Sequence, residues 1–501
     1  MFEGEKTTLV HFTRNPNRTT TAPMTIKGEV VVPKEAAKIL GVIMDSKLWY
    51  KQHIARAATK GLTAAMALKR LRMVSPSIAR QLFGSTVTPV VDYASNIWMH
   101  ACGSAAMASL NRVQRVGTQA IIGAFRIVAV AVAKTEASIR TVRERHADQA
   151  VKLWVDLHTL PRTNPLSRLR TTIYRRFTSP LQKIAQACET VPADGVQMIQ
   201  EYAISLWEQR IPAVINADSE EVVERTNCTS GICIATSSSL RKGMVGMGGA
   251  IRDSYGRVPS RPPVTFAVTL GPRSEQNPYV AELEAIAMAV RGLPPYLVEQ
   301  ETTIFTSNQA AIQVINRLKQ SSGQDSIAQI YKTVGKLKEG RNRILVRWVP
   351  AHDDFRLGRD AKGAARSATQ GGRLPQKQFY SAKATIVNTA KAERRKHKTL
   401  LEGVRKHLKK IDSAIPGRHT RRFYDVLARN RASVLAQLRT VWRGSMDICI
   451  ASVWSIQTSA RADKREKRSS TSSSTAHYGR STEIAYQYKR RPEEEAVSPT
   501  I

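Results

Sequence analysis

The spacing of apolar positions changes along the chain, and each change marks a different kind of structure. Up to about residue 50, TTLVHF, MTIKGEVVV and AAKILGVIMD are short runs of β-branched and aliphatic residues, separated by Asn, Pro, Arg and Thr. They predict extended segments. Between 50 and 160, IARAATKGLTAAMALKRL and TEASIRTVRERHADQAVKLWVDL repeat apolar residues every three or four positions, the helical period. Pro161, Pro165, Pro180, Pro192 and Pro212 punctuate the stretch 161–225, which reads as a connector with some helix. From about 230, GICIATS, VGMGGAI and VTFAVTL predict three strands. YVAELEAIAMAVRGL predicts a helix, TTIFTS a strand, NQAAIQVINRLK and SIAQIYKTVGKLKEG two helices, and RILVRWV a last strand. Three adjacent strands followed by alternating helix and strand predict an α/β unit built on a mixed sheet of about five strands.

Composition bounds the function. With 501 residues, 42% hydrophobic and 23% charged, the chain can bury two to four cores. That excludes a collagen-like chain, a disulfide mini-scaffold and a wholly disordered chain. Lys and Arg number 77 against 40 Asp and Glu, a formal charge of +37. Such an excess calls for a polyanionic partner, nucleic acid before an anionic membrane surface. The stretch 391–425 concentrates it, with 12 basic residues against 4 acids. Arg394, Arg395, Lys396, Lys409 and Lys410 are its candidate phosphate contacts. Cys102, Cys188, Cys228, Cys233 and Cys449 are scattered and odd in number, which fits a reducing, intracellular compartment, the nucleus included. Glu3, Glu5 and Lys6 interrupt any secretory leader. The longest apolar run, Ile121 to Ala133, is short for a bilayer and contains Arg126, so no membrane partner is expected. Residues 465–480 are Ser, Thr, Arg and Lys of low complexity and predict disorder.

Candidate chemistry lies at 226–370. ATSSSLRKGMVGMGGAI forms a hairpin whose glycines stand between two strands, so they are no dinucleotide loop. YVAELEAIAMAV carries a glutamate on a helix, IFTSNQAAIQVI ends a strand in hydroxyl and amide residues, and RWVPAHDDFRLGRDAKGAARSA joins a Pro-Ala-His loop to a helix. In this order the four segments resemble the type 1 ribonuclease H domain of retroelement polyproteins. The resemblance implies cleavage of the RNA strand of an RNA–DNA hybrid by two Mg²⁺ or Mn²⁺ ions held by clustered carboxylates. Glu282 stands at the family's glutamate position and is the one candidate metal ligand. Ser237, Ser307 and Gly363 stand where the family has aspartates, so three carboxylates are missing. Asp360, one turn before Gly363, is a candidate substitute, and His352 matches the family's loop histidine. Asn308 and Gln309 are candidates for hydrogen bonds to a nucleic-acid backbone.

The amino-terminal part, EGEKTTLVHFTR followed by AKILGVIMDSKLWYKQHI, resembles the palm end and thumb of a non-LTR retrotransposon reverse transcriptase of fungal type. No Y/F-A-D-D sequence occurs, so the resemblance implies no polymerase active site. The expected organisation is a palm-end and mostly helical thumb-like region at 1–160, a connector at 161–225, the ribonuclease H-like domain at 226–370, a basic helical region at 371–440 and a disordered tail at 441–501. Residues 441–475 back-translate into codons that, read one base upstream, encode a continuation ending in C…H-x4-C. The tail is therefore expected to be out of frame, leaving Trp442, Cys449 and Trp454 without function. Together these features predict a catalytically degenerate, nucleic-acid-binding fragment. The alternatives are an active hybrid ribonuclease using Glu282, Asp360 and unrecognised acids, and a basic DNA- or RNA-binding protein without catalysis.

Overall fold

The computed structural model describes residues 7–13, 22–71, 74–170, 179–200, 202–205, 207–215, 231–253, 262–317, 321–350, 354–370, 375, 379–396 and 418–440. His352, Lys409, Lys410 and the tail lie outside the described residues.

Two hairpins open the amino-terminal unit: β1 (Met24–Ile26) with β2 (Glu29–Val31), and β3 (Ala36–Ile39) with β4 (Val42–Asp45). The second turns on Leu40 and Gly41, both with positive φ, as a tight two-residue turn requires. TTLVHF forms no strand. It is held by the Lys34 amide donating to Leu9 O at 2.8 Å and the Thr13 amide donating to Ser46 O at 3.0 Å. Helices then follow: α1 (Lys51–Arg70), α2 (Pro76–Leu82), α3 (Thr88–Val91), α4 (Ser95–Trp98), α5 (Ser104–Ile122), α6 (Val130–Glu136) and α7 (Val142–Thr159). α1 buries Ile54, Ala57, Ala58, Gly61, Ala65 and Leu68, one face at helical spacing. Thr141 and Glu144 cap the start of α7 reciprocally. The expected helix TEASIR…DL is thus broken between α6 and α7.

The connector holds α8 (Pro180–Ala187) and a two-residue strand, β5 (Ala213–Val214). The second unit comprises β6 (Ile232–Arg241), β7 (Met244–Asp253), β8 (Val264–Pro272), α9 (Pro278–Arg291), β9 (Glu301–Thr306), α10 (Gln309–Asn316), α11 (Gln324–Glu339), β10 (Arg343–Trp348) and α12 (Arg356–Ser367). Its sheet has six strands in the order β5-β10-β9-β6-β7-β8, one more than expected because β5 adds to the β10 edge. β6, β7 and β8 are an antiparallel meander, and β9 and β10 run parallel to β6. The fold of this unit is α/β.

Alternation along the strands assigns the two faces. Ile232, Ile234 and Ile304 pack in the core shared with α9 and α11. Cys233, Ala235 and Phe305 pack against Phe355, Leu357 and Ala361 at α12. Glycines on β7 let α12 approach. A Cβ at Gly248 would lie 2.3 Å from Ala365 N and 2.9 Å from Ala361 O.

The described helices of 371–440 pack onto earlier parts of the chain. α13 (Lys383–Lys396) places Ile386 in a core with Val151 and Val155 of α7. α14 (Arg418–Asp425) and α15 (Arg429–Thr440) return to the amino-terminal core, where Tyr424, Ala432 and Ala436 are buried. A buried ionic cluster fixes that return. Glu136, 0% exposed, accepts from Tyr424 Oη at 2.9 Å and from Arg439 Nε at 3.0 Å. Arg80 pairs with Asp425 across the same contact. Among the described residues, no helix is long and apolar enough to cross a membrane.

Candidate nucleic-acid interface

The strand register brings the carboxyl end of β9 beside the middle of β6, with Thr236 opposite Thr306. Period-two alternation then sorts four hydroxyl residues into two pairs. Thr236 and Thr306 face α9. Their Oγ1 atoms donate to Glu282 Oε1 at 2.8 and 2.7 Å. Thr306 Oγ1 also accepts from the Asn308 amide at 3.1 Å. Ser237 and Ser307, one residue further on, line the cavity on the α12 side.

Glu282 is 2% exposed. Burial raises its pKa above the usual carboxylate value, and hydrogen bonds from Thr306, Thr236 and Ser238 oppose that rise. Its neighbour Glu284 is also buried, and accepts from Ser326 Oγ at 2.9 Å on the far side of α9.

An open cleft of about 490 Å³ is lined by Ser237, Ser238, Glu282, Ser307, Asn308, Gln309 and Trp348. Asn308 caps α10, its Oδ1 accepting from the Ala311 amide at 3.2 Å. Trp348 Nε1 donates to Ser307 O at 3.2 Å, which fixes the indole at the rim. A smaller cavity of about 50 Å³ shares Ser237 and Ser307 with the cleft and continues to Phe355, Gly358, Arg359 and Lys362 at α12.

The structure thus brings Glu282, Ser237, Ser307, Asn308 and Gln309 together. It leaves out Gly363 and Asp360. The burial of Leu357, Ala361 and Ala365 fixes the rotation of α12. Gly363 then faces solvent, with nothing within 4 Å of where its Cβ would be. Asp360 is exposed and lines neither cavity. The residue facing Ser237 and Ser307 from this helix is Lys362, with Arg359 one turn before it. Sequence spacing held that information: Leu357, Ala361 and Ala365 at i, i+4, i+8 already direct 358 and 362 alongside the sheet. Gly363 as a position of the site is therefore corrected to Lys362.

The basic candidates on α13 are partly committed elsewhere. Arg394 donates to Ala147 O at 3.2 Å and to Ala187 O, clamping α7 and α8, so its donors are spent on backbone carbonyls. Arg395 lies 3.7 Å from Asp148, and Lys396 lies 2.7 Å from Glu393. Both of these stay exposed at the surface, where such pairs contribute little.

The donor set does not suit a divalent cation. Mg²⁺ needs several anionic or carbonyl oxygens in octahedral array. Here one buried carboxylate already accepts two threonine hydrogen bonds in a cleft otherwise lined by serines, amides and an indole, and the adjoining cavity carries Arg359 and Lys362. Among the described residues, no group of three or more His, Cys, Asp or Glu side chains is placed to hold a metal.

No family model matches the chain, and no curated protein matches it. Among solved structures it is similar to a ribonuclease H1 from Halobacterium salinarum, at 13% identity and a TM-score of 0.22, over 27% of this chain and 96% of that one. It is similar to LC11-RNase H1 in complex with an RNA/DNA hybrid, at 20% identity and a TM-score of 0.23, over 28% and 99% of the two chains. Similarity to the prototype foamy virus protease-reverse transcriptase extends over 43% of this chain and 30% of that one, at 13% identity and a TM-score of 0.24.

Proposed function

We propose that the chain is a retroelement-derived fragment, a thumb-like helical unit joined to a ribonuclease H-like domain, that binds nucleic acid and does not cut it. One observation carries this proposal. Where the carboxyl end of β9 lies beside the middle of β6, Glu282 is the single acid lining the site among the described residues, and it is buried under two threonine hydroxyls. A hydroxyl contributes no negative charge, so Ser237 and Ser307 cannot replace missing carboxylates as metal ligands. The sequence resemblance supplies the retroelement context. The charge of +37 supplies the attraction for a polyanion.

The test is a cleavage assay of the full chain on a labelled RNA–DNA hybrid, with Mg²⁺ and with Mn²⁺, beside a binding titration of the same hybrid. The expected result is salt-dependent binding without cleavage. Cleavage that Glu282→Gln abolishes would establish the active ribonuclease instead.

A further inference from the structure

The small cavity between the strand ends and α12 has the chemistry of an anion seat. One wall presents Ser237 and Ser307, beside Thr236 and Thr306, whose hydroxyls are engaged by Glu282; the other presents Arg359 and Lys362. Neither Arg359 nor Lys362 is in an ion pair among the described residues. The cavity lies against the first turn of α12, where the helix dipole adds partial positive charge. Asp354 and Asp360 are exposed and line neither cavity. Glu282, on α9, is the one acid lining the adjoining cleft among the described residues, and it accepts hydrogen bonds from Thr236 and Thr306. At about 50 Å³ the cavity has room for roughly four water-sized groups, about the number of oxygens on a phosphate.

We infer that this cavity binds a phosphodiester of the nucleic acid directly, with Lys362 and Arg359 providing the positive charge and Ser237 and Ser307 donating hydrogen bonds, and that the binding needs no metal ion. The inference deepens the proposed nucleic-acid binding and rests on it. The open cleft beside the seat, rimmed by Asn308, Gln309 and Trp348, gives the strand on either side of that phosphate a place to lie. A planar indole at the rim suits a stacked base.

The experiment is an anisotropy titration of the full chain with a short labelled RNA–DNA hybrid over a series of KCl concentrations, in EDTA and in Mg²⁺. The unmodified chain is compared with the double variant Arg359→Gln, Lys362→Gln and with Arg366→Gln, an exposed cation on the same helix outside the cavity. Circular dichroism checks that each variant folds. The affinity should be equal in EDTA and in Mg²⁺. The double variant should weaken binding about tenfold or more and lower the salt slope by about one, while Arg366→Gln changes affinity less than about twofold. A requirement for Mg²⁺, or a double variant no weaker than Arg366→Gln, would overturn the inference while leaving nucleic-acid binding standing. Absence of hybrid binding by the unmodified chain would overturn the proposed function. In that case inorganic phosphate is titrated against the indole N–H resonance of Trp348. A shift lost in the double variant retains the anion seat, and no shift removes it.

Discussion

Two glycines on opposite sides of one helix–sheet contact should respond to the same substitution with opposite signs. Gly248 on β7 faces the backbone of α12. An alanine Cβ there would meet Ala365 N at 2.3 Å, Ala364 C at 2.8 Å and Ala361 O at 2.9 Å. These are backbone atoms of a helix and cannot rotate away. Restoring ordinary contact at about 3.4 Å requires α12 to lift by roughly 1 Å, which costs about 1–3 kcal/mol as overpacking. For a domain of this size, that lowers Tm by several degrees. Gly363, on the outer face of α12, has nothing within 4 Å of its Cβ position. Gly363→Ala removes backbone entropy from a helix interior and should stabilise by about 0.5–1 kcal/mol. Thermal unfolding of the two single variants, followed by circular dichroism, checks both signs. Because α12 carries Arg359 and Lys362, Gly248→Ala should also weaken hybrid binding, whereas Gly363→Ala should leave it unchanged. A Gly248→Ala protein as stable as its parent would refute the close packing of α12 on β7. A destabilising Gly363→Ala would refute the helix rotation that places Lys362 in the cavity.

Three further outcomes are expected. Burial raises the pKa of Glu282, so its share of stability is present below the ordinary carboxylate value and is lost as the pH rises through the folded-state value. Glu282→Gln keeps an acceptor for Thr236 and Thr306 and removes the titration. Its Tm should exceed the parent's at mildly alkaline pH and converge with it in acid; a difference that does not vary with pH would contradict the burial of a titrating carboxyl. Arg439→Leu strands the fully buried Glu136 and should cost about 3–5 kcal/mol, read by denaturant unfolding of the amino-terminal unit; a loss below about 1 kcal/mol would mean that α15 is not docked there. The genomic coding strand from Thr440 onward should read, one base upstream, into the continuation ending in C…H-x4-C, and sequencing that locus decides it.

The alternation of Ile232, Ile234, Thr236 with Cys233, Ala235, Ser237 made β6 legible, and the same holds for β9. The helices α9, α10 and α11 follow directly from their apolar spacing. β5 was not legible: two residues within a proline-punctuated stretch carry no period, and only pairing with Val346 and Arg347 makes them a strand. The docking of α14 and α15 also escaped the sequence. Their buried face is Tyr424, Ala432 and Ala436, small residues among many charges, and charge density dominates such a pattern. The bent path of TTLVHF reflects two isolated backbone hydrogen bonds, which propensity does not encode. At the site, motif matching singled out Glu282, Ser237 and Ser307, and all three line the cleft. The last position was off by one residue because the motif was matched by its letters, while α12 is oriented by its buried Leu357, Ala361 and Ala365.

The proposed function requires that Ser237, Ser307 and Lys362 surround Glu282 at positions where carboxylates would hold metal ions. The most direct measurement restores them: the full chain carrying Ser237→Asp, Ser307→Asp and Lys362→Asp, assayed for RNA-strand cleavage of a hybrid in Mg²⁺. The unmodified chain should be silent and the restored chain should cut, with cutting abolished by EDTA and by Glu282→Gln. A restored chain that folds and binds the hybrid without cutting it would contradict the placement of these positions around one site.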